Sequence, residues 1–233
     1  MTVLDLSPIV VPRRTRPTGP PGQPAKRALD VLGSAFALLV LAPVIALVAL
    51  LVKVSDPAGP VFYRQNRIGL RGRAVGVLKF RSMTWAYSTG PTRPYQTAAQ
   101  AFEAMGRPDL VEEFEREQKV ADDPRVSRLG RFLRATSLDE LPQLVNALVG
   151  DLSLVGPRPV IAAELERYGA HAPTYLAVKP GVTGLWQVSG RSDTGYDERV
   201  RLDVRYVTEW RLALDLAILL RTVRTVLLRE GAR

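Results

Sequence analysis

Val31-Leu-Gly-Ser-Ala-Phe-Ala-Leu-Leu-Val-Leu-Ala-Pro43-Val-Ile-Ala-Leu-Val-Ala-Leu-Leu-Val52 carries no charge anywhere along its length. At 1.5 Å of rise per residue it makes roughly 33 Å of helix, the thickness of a bilayer core. A single spanning helix is the plain reading, and two features oppose it. Lys26 and Arg27 flank one end, while Lys53, Arg64, Arg67, Arg71 and Arg73 flank the other, and basic flanks favour the cytoplasmic side. Pro43, preceded by Ala42, sits in the middle, where its missing N–H and its ring kink a helix. A re-entrant helix–break–helix over 31–52, broken at Ala42-Pro43 and entering and leaving through the cytoplasmic face, satisfies both facts. On these features alone the spanning and re-entrant forms both stay open. A buried soluble helix fits the length less well.

Outward from this stretch, residues 1–25 are proline-rich and hold Arg13, Arg14 and Arg16 without an apolar core of signal-peptide type. They read as a disordered cytoplasmic tail, with residues 26–233 as one module. The net charge of +9 and pI near 10.2 point to anionic partners: acidic lipids, phosphorylated substrates or nucleic acid. With 7% aromatics and no recognised nucleic-acid motif, nucleic acid is set aside. No cysteine is present and His171 is the only histidine, which removes thiolate sites and makes a histidine relay or zinc centre a poor fit. A metal here is a hard cation held by carboxylates and phosphates.

The elements after the apolar stretch read as α/β but mostly helical. Strands are expected at Pro60–Tyr63 and Val75–Phe80, around a turn at Gly69 and Gly72. Helices are expected near Ala98–Lys119, within 128–150, and near Ile161–Tyr168. Pro180, Gly181, Gly184 and Gly190 punctuate a loop. Tyr206–Leu228 mixes leucine and valine with arginine, as an amphipathic helix at a membrane interface does, although packing on the chain's own core explains the stripe equally well.

Two adjacent carboxylates stand in Ser137-Leu-Asp139-Glu140-Leu-Pro142. Their spacing alone favours a structural role: Ser137 with Glu140 matches a capping box, and proline belongs in a first helical turn. The surroundings argue for chemistry. Arg125, Arg128, Arg131 and Arg134 precede the pair, and Arg158 follows between two prolines. A carboxylate attacks a phosphoryl group only where cations relieve the repulsion between anions. Neither a Walker loop nor a G-x-G-x-x-G turn occurs.

Four blocks in order, Asp123–Arg134, Thr136–Gln143, Gly150–Pro159 and Lys179–Arg191, together with Lys26–Asp30 and Lys79-Phe-Arg-Ser-Met83, resemble the bacterial sugar transferases, the monotopic polyprenyl-phosphate phosphoglycosyl transferases. The resemblance runs over about residues 26–230. It implies a small cytosolic catalytic domain on a re-entrant helix, with interfacial amphipathic helices, at the cytoplasmic face of the bacterial inner membrane. It implies transfer of a hexose 1-phosphate, glucose or galactose, from a UDP-sugar to undecaprenyl phosphate in exopolysaccharide assembly. Asp139 matches the nucleophile and Glu140 a residue that helps hold Mg²⁺ or Mn²⁺. Lys79, Arg134 and Arg158 match phosphate-binding positions. Gln187, Arg191, Asp203 and Tyr206 match a segment near nucleotide and sugar. The family's break is Ser-Pro or similar, so Ala42 is a departure. The partners implied are the two substrates and membrane lipids, with room for a homodimer. A non-enzymatic basic membrane scaffold is the rival class.

Overall fold

The structure, a computed structural model, describes residues 23–90, 92–117, 120, 122–189 and 195–228. Almost all of the expected tail lies outside these, as does Arg191. The described residues form two compact units. The first holds those up to Val40, Arg64–Val77 and those from Gln143 onward; the second holds Leu41–Tyr63 and Leu78–Pro142.

Helix α1 runs from Pro24 to Ser55. Proline suits its first position, where the N–H has no intrahelical partner, and Pro57 follows its end. Helical conformation continues through the exposed Ala42 and Pro43, so the element is one helix with an internal proline. Among the described residues α1 is the one helix long and apolar enough to cross a membrane, and only 11% of its most apolar window is buried. Leu32, Phe36, Leu39, Leu47, Leu50 and Val54 are exposed.

Each end of α1 is fastened inside a different unit. In the first unit, the Arg27 guanidinium donates to the carbonyls of Ala147 at 2.8 Å and Leu148 at 2.7 Å. These are late carbonyls of helix α5 (Gln143–Val149), which lack intrahelical donors. Lys26 and Asp30 are buried there as well. In the second unit, Val48 and Val52 pack with Phe80 and Leu133 as a core cluster. Just past the helix, Asp56 accepts from Arg81 Nη1 at 2.7 Å and from the Trp85 N–H at 2.6 Å.

Strands β1 (Phe62–Ile68) and β2 (Ala74–Phe80) pair across a tight turn. Arg71 and Gly72 both have positive φ in that turn, at 57° and 77°. The helix expected over 98–119 is two, α2 (Ala98–Ala104) and α3 (Asp109–Glu117). Gly106 at φ 69° and Pro108 separate them. Helix α4 (Arg128–Ala135) is capped by Ser127, whose Oγ accepts from Gly130 N at 2.9 Å. A Cβ on Gly130 would overlap the backbone of Ser82, so this glycine allows α4 to lie against the chain after β2.

The Gly150–Pro159 and Lys179–Thr183 segments meet in the first unit. Strand β3 (Ser153–Val155) pairs in parallel with β4 (Gly181–Thr183), Ser153 opposite Gly181 and Val155 opposite Thr183. A Cβ on Gly181 would overlap the Gly156 nitrogen, so bare backbones are what bring these segments together. The expected loop is therefore partly a strand. Helices α6 (Ala162–Glu166), α7 (Ala172–Leu176), α8 (Tyr196–Thr208) and α9 (Leu212–Leu228) complete this unit. The amphipathic stretch expected over 206–228 is the end of α8 plus α9.

Candidate active site

Asp139 and Glu140 stand in a short 3-10 turn, Leu138–Glu140, between α4 and α5. Ser137 before them is left-handed, at φ 56° and ψ 15°, and its side chain makes no capping bond. That conformation costs a non-glycine residue on the order of 1–2 kcal/mol. The capping box suggested by the spacing is thus not formed. Glu140 turns instead to Lys79 on β2, whose Nζ lies 2.8 Å from Glu140 Oε1, with both side chains mostly buried. Asp139 is buried at 7% exposure.

Arg134, in the last turn of α4, donates from Nε to Ser82 Oγ at 2.9 Å. Partial desolvation draws its pKa down, while the Asp139 and Asp123 carboxylates act in the opposite sense. Arg134 therefore lies within the electrostatic reach of Asp139. The second unit thus brings together four residues expected at the site, Lys79, Arg134, Asp139 and Glu140. It does so through β2, α4 and a strained turn.

Arg158, Gln187, Asp203 and Tyr206 belong to the first unit. Arg158 follows β3, and its guanidinium lies 6.0 Å from the centre of the Trp186 ring. The Arg199 guanidinium lies 4.9 Å from the same ring. Gln187 is buried, donating to Val182 O at 3.0 Å. Asp203 is buried at 2% exposure and accepts from Tyr168 Oη at 2.7 Å. Burial raises its carboxyl from 3.8 to about 6, while the Tyr168 hydroxyl and the Arg199 and Arg158 cations pull it back. Tyr206 Oη contacts Asp215 Oδ1 at 2.8 Å and Val155 O at 2.9 Å. Burial pushes its phenol up, and the Asp215 carboxylate reinforces this. The contacts of Asp203 and Tyr206 are internal, and α8 carries both.

The sequence reading assigned no role to Arg199. It is buried, bonded to Glu164 Oε1 at 3.2 Å and set against Trp186 and Tyr196. A buried arginine on a helix reads from sequence like a solvent-facing one, so no signal marked it.

For a metal, the described residues hold no group of three or more acidic, histidine or cysteine side chains. One or two carboxylates next to a phosphate-binding centre fit the way Mg²⁺ binds, with substrate oxygens and water completing the shell. The Glu140 carboxylate is a donor of that kind.

The second unit thus sets two carboxylates beside Lys79 and Arg134, on a chain with an apolar helix long enough to cross a bilayer. The chain belongs to the bacterial sugar transferase family, whose defining pattern matches residues 22–229. It is 43% identical over 228 residues to the exopolysaccharide production protein ExoY of Rhizobium meliloti strain 1021, covering 97% of this chain and 96% of that protein. It is 46% identical over 209 residues to the UDP-galactose-lipid carrier transferase of Erwinia amylovora, covering 89% of this chain and 41% of that protein. It is 38% identical over 222 residues to the UDP-glucose:undecaprenyl-phosphate glucose-1-phosphate transferase of Escherichia coli K12, covering 92% of this chain and 42% of that protein. The chain thus spans nearly the whole of one relative and about two-fifths of the other two.

Proposed function

We propose that this chain transfers a hexose 1-phosphate, glucose or galactose, from a UDP-sugar to undecaprenyl phosphate, releasing UMP, as the first membrane step of exopolysaccharide assembly. The observation that carries the reading is the buried Asp139 beside the Lys79–Glu140 pair, in a unit whose core includes the later half of α1. The relatives named for transfer to a lipid carrier or to undecaprenyl phosphate support the substrate pair.

Asp139 attacks the sugar-linked phosphorus. The bond from that phosphorus to the bridging oxygen breaks, and UMP leaves with the oxygen and its electron pair. A phosphate oxygen of the acceptor then attacks the same phosphorus. The aspartyl C–O–P linkage opens at phosphorus, returning the carboxylate and giving a diphosphate-linked sugar lipid. Lys79 and Arg134 offset the negative charge that would otherwise repel the carboxylate. Arg158, in the first unit, is a further phosphate ligand on the strength of the resemblance. Gln187 and Arg191 stand for the nucleotide–sugar side on the same basis. Asp203 and Tyr206 act on that side from within, by fixing α8. Glu140 would help hold a divalent cation, which when bound would offset the charge of the diphosphate.

Detergent-solubilised protein should release UMP from UDP-glucose or UDP-galactose and label undecaprenyl phosphate. No release from any UDP-hexose, with acceptor present, would defeat the proposal. Activity should be lost in EDTA and return with Mg²⁺ or Mn²⁺. Glu140→Gln should lower turnover by about a hundredfold or more, on the scale of lost electrostatic stabilisation, while the protein stays folded. Full activity in EDTA sinks the metal role.

The same reading places both ends of α1 at the cytoplasmic face of the inner membrane. Lys26 and Arg27 are bonded within the first unit, and Val52 packs within the second. The basic flanks Lys26, Arg27 and Lys53 favour that face for both ends, and on this reading Pro43 is the place where α1 would turn back in the bilayer. Single cysteines placed before Lys26 and after Ser55 should resist an impermeant thiol reagent in intact cells. Both should react in inverted vesicles. Labelling of either from outside the cell would establish a spanning helix.

A further inference from the structure

Helix α4 has two unlike faces. Gly130 and Leu133 are buried, and Leu129 and Leu133 join the core that holds Val48 and Val52 of α1. Arg128, Arg131 and Phe132 are exposed, Phe132 at 52%. At 100° per residue these three share one side of the helix, Phe132 next to Arg128 one turn away. Arg131 is held in place by a bond from Nη1 to Val126 O at 2.9 Å. The helix contains no acidic residue and ends directly before the turn that carries Asp139. In the same unit, α1 exposes Val44, Leu47, Leu50, Leu51 and Val54.

An exposed aromatic ring beside two cations on one helix face, in a unit whose α1 also exposes apolar side chains, is the make-up of a surface that meets hydrocarbon and anionic groups together. It matches a ligand that is an anion at one end and a hydrocarbon chain at the other. We propose that the exposed face of α4 seats the polyprenyl phosphate acceptor, its prenyl chain against Phe132 and its phosphate at Arg128 and Arg131. The inference rests on the transfer reaction proposed above and adds the acceptor's site to it. The helix that ends at the reacting carboxylate is then the one that delivers the second substrate. The acceptor phosphate slides along the arginine row to Asp139 while its tail stays at the depth of α1. The sugar donor, which has no hydrocarbon chain, does not use Phe132. This side chain therefore separates acceptor binding from donor binding.

The test has a binding arm and a kinetic arm. In nanodiscs, a photoreactive polyprenyl phosphate should crosslink within residues 128–135. Undecaprenyl phosphate should compete it away, and phosphatidic acid, an anionic lipid of different chain architecture, should not. Phe132→Ala should raise KM for undecaprenyl phosphate about tenfold, the scale of one aromatic side chain lost from an apolar contact. KM for the UDP-sugar should move less than twofold, and Phe132→Leu should recover most of the loss. Crosslinks confined to other segments would overturn the proposal. So would equal competition by phosphatidic acid, or an acceptor KM untouched in Phe132→Ala. An acceptor effect matched by equal loss of the variant from floated vesicles would reduce Phe132 to a membrane anchor and also overturn it. The crosslink needs no turnover, so failure of the transfer reaction and failure of the α4 site give different results.

Discussion

Asp139→Asn should abolish turnover while the protein stays folded. A carboxylate can attack phosphorus directly, whereas the asparagine amide has nearly the same shape and no useful nucleophilicity. Turnover should fall by on the order of 10⁴-fold or more, the scale on which removal of a covalent nucleophile acts. With UDP-sugar alone, the wild-type protein should gain the mass of one hexose phosphate and release up to one equivalent of UMP. The variant should do neither. A helix-capping Asp139 makes the opposite forecast, since asparagine caps as well as aspartate. The geometry already weighs against capping. Ser137 makes no cap bond, Glu140 is engaged by Lys79, and Asp139 sits buried within a 3-10 turn. Near-normal turnover in the variant, or no adduct in wild type where the acceptor supports reaction, would rule out the covalent route.

What the sequence disclosed follows from how each signal is encoded. An uncharged run with basic flanks is visible without any partner, and α1 lies where that run predicted. Strand β2 lies where Val75–Phe80 was expected, whereas β1 shares only Phe62 and Tyr63 with the expected Pro60–Tyr63, because its later residues Arg64, Gln65, Asn66 and Arg67 are polar and read as turn. The adjacent carboxylates and the arginines before them pointed to Asp139 and Glu140. Lys79, far upstream, came only through the family resemblance, and the structure pairs it with Glu140. Strands β3 and β4, three residues each, are too short for any period, and the prolines and glycines around them read as loop. Helix α8 escaped notice because its buried side includes Arg199 and Asp203 along with Val200, Tyr206 and Val207. Charged residues facing inward break the apolar period by which a helix is recognised. Helix α4 was expected within 128–150, but its exposed Phe132 could not be told from its buried Leu133 until the packing of Leu133 on Phe80 fixed the helix's rotation.

Lys26→Met should be the most destabilising single change near the start of α1. Lys26 Nζ lies 2.9 Å from Asp215 Oδ2, 3.4 Å from Asp30 Oδ1 and 3.0 Å from Val155 O. Asp30 also accepts from Ser153 Oγ and Leu154 N, each at 2.9 Å. Asp215 also accepts from Tyr206 Oη at 2.8 Å and Trp210 Nε1 at 3.1 Å. All three charged side chains are buried, Asp215 at 0% exposure. One ammonium thus serves two carboxylates, and its removal leaves both in a dry setting without a counter-charge. Breaking a buried pair from one side costs about 3–5 kcal/mol, so Lys26→Met should fall at the top of that range. Asp215→Asn should cost less, because Lys26 and Asp30 remain as a balanced pair and asparagine still accepts one hydrogen bond. The double variant should be more stable than Lys26→Met alone, since it leaves one stranded carboxylate in place of two. Thermal unfolding of the detergent-solubilised protein, with the three variants arranged as a double-mutant cycle, measures these differences. Equal losses in the two single variants, with simple additivity in the double, would show that Lys26 is not the shared counter-charge. The network would then be three separate contacts, and the start of α1 would be held chiefly by the bonds from Arg27 to α5.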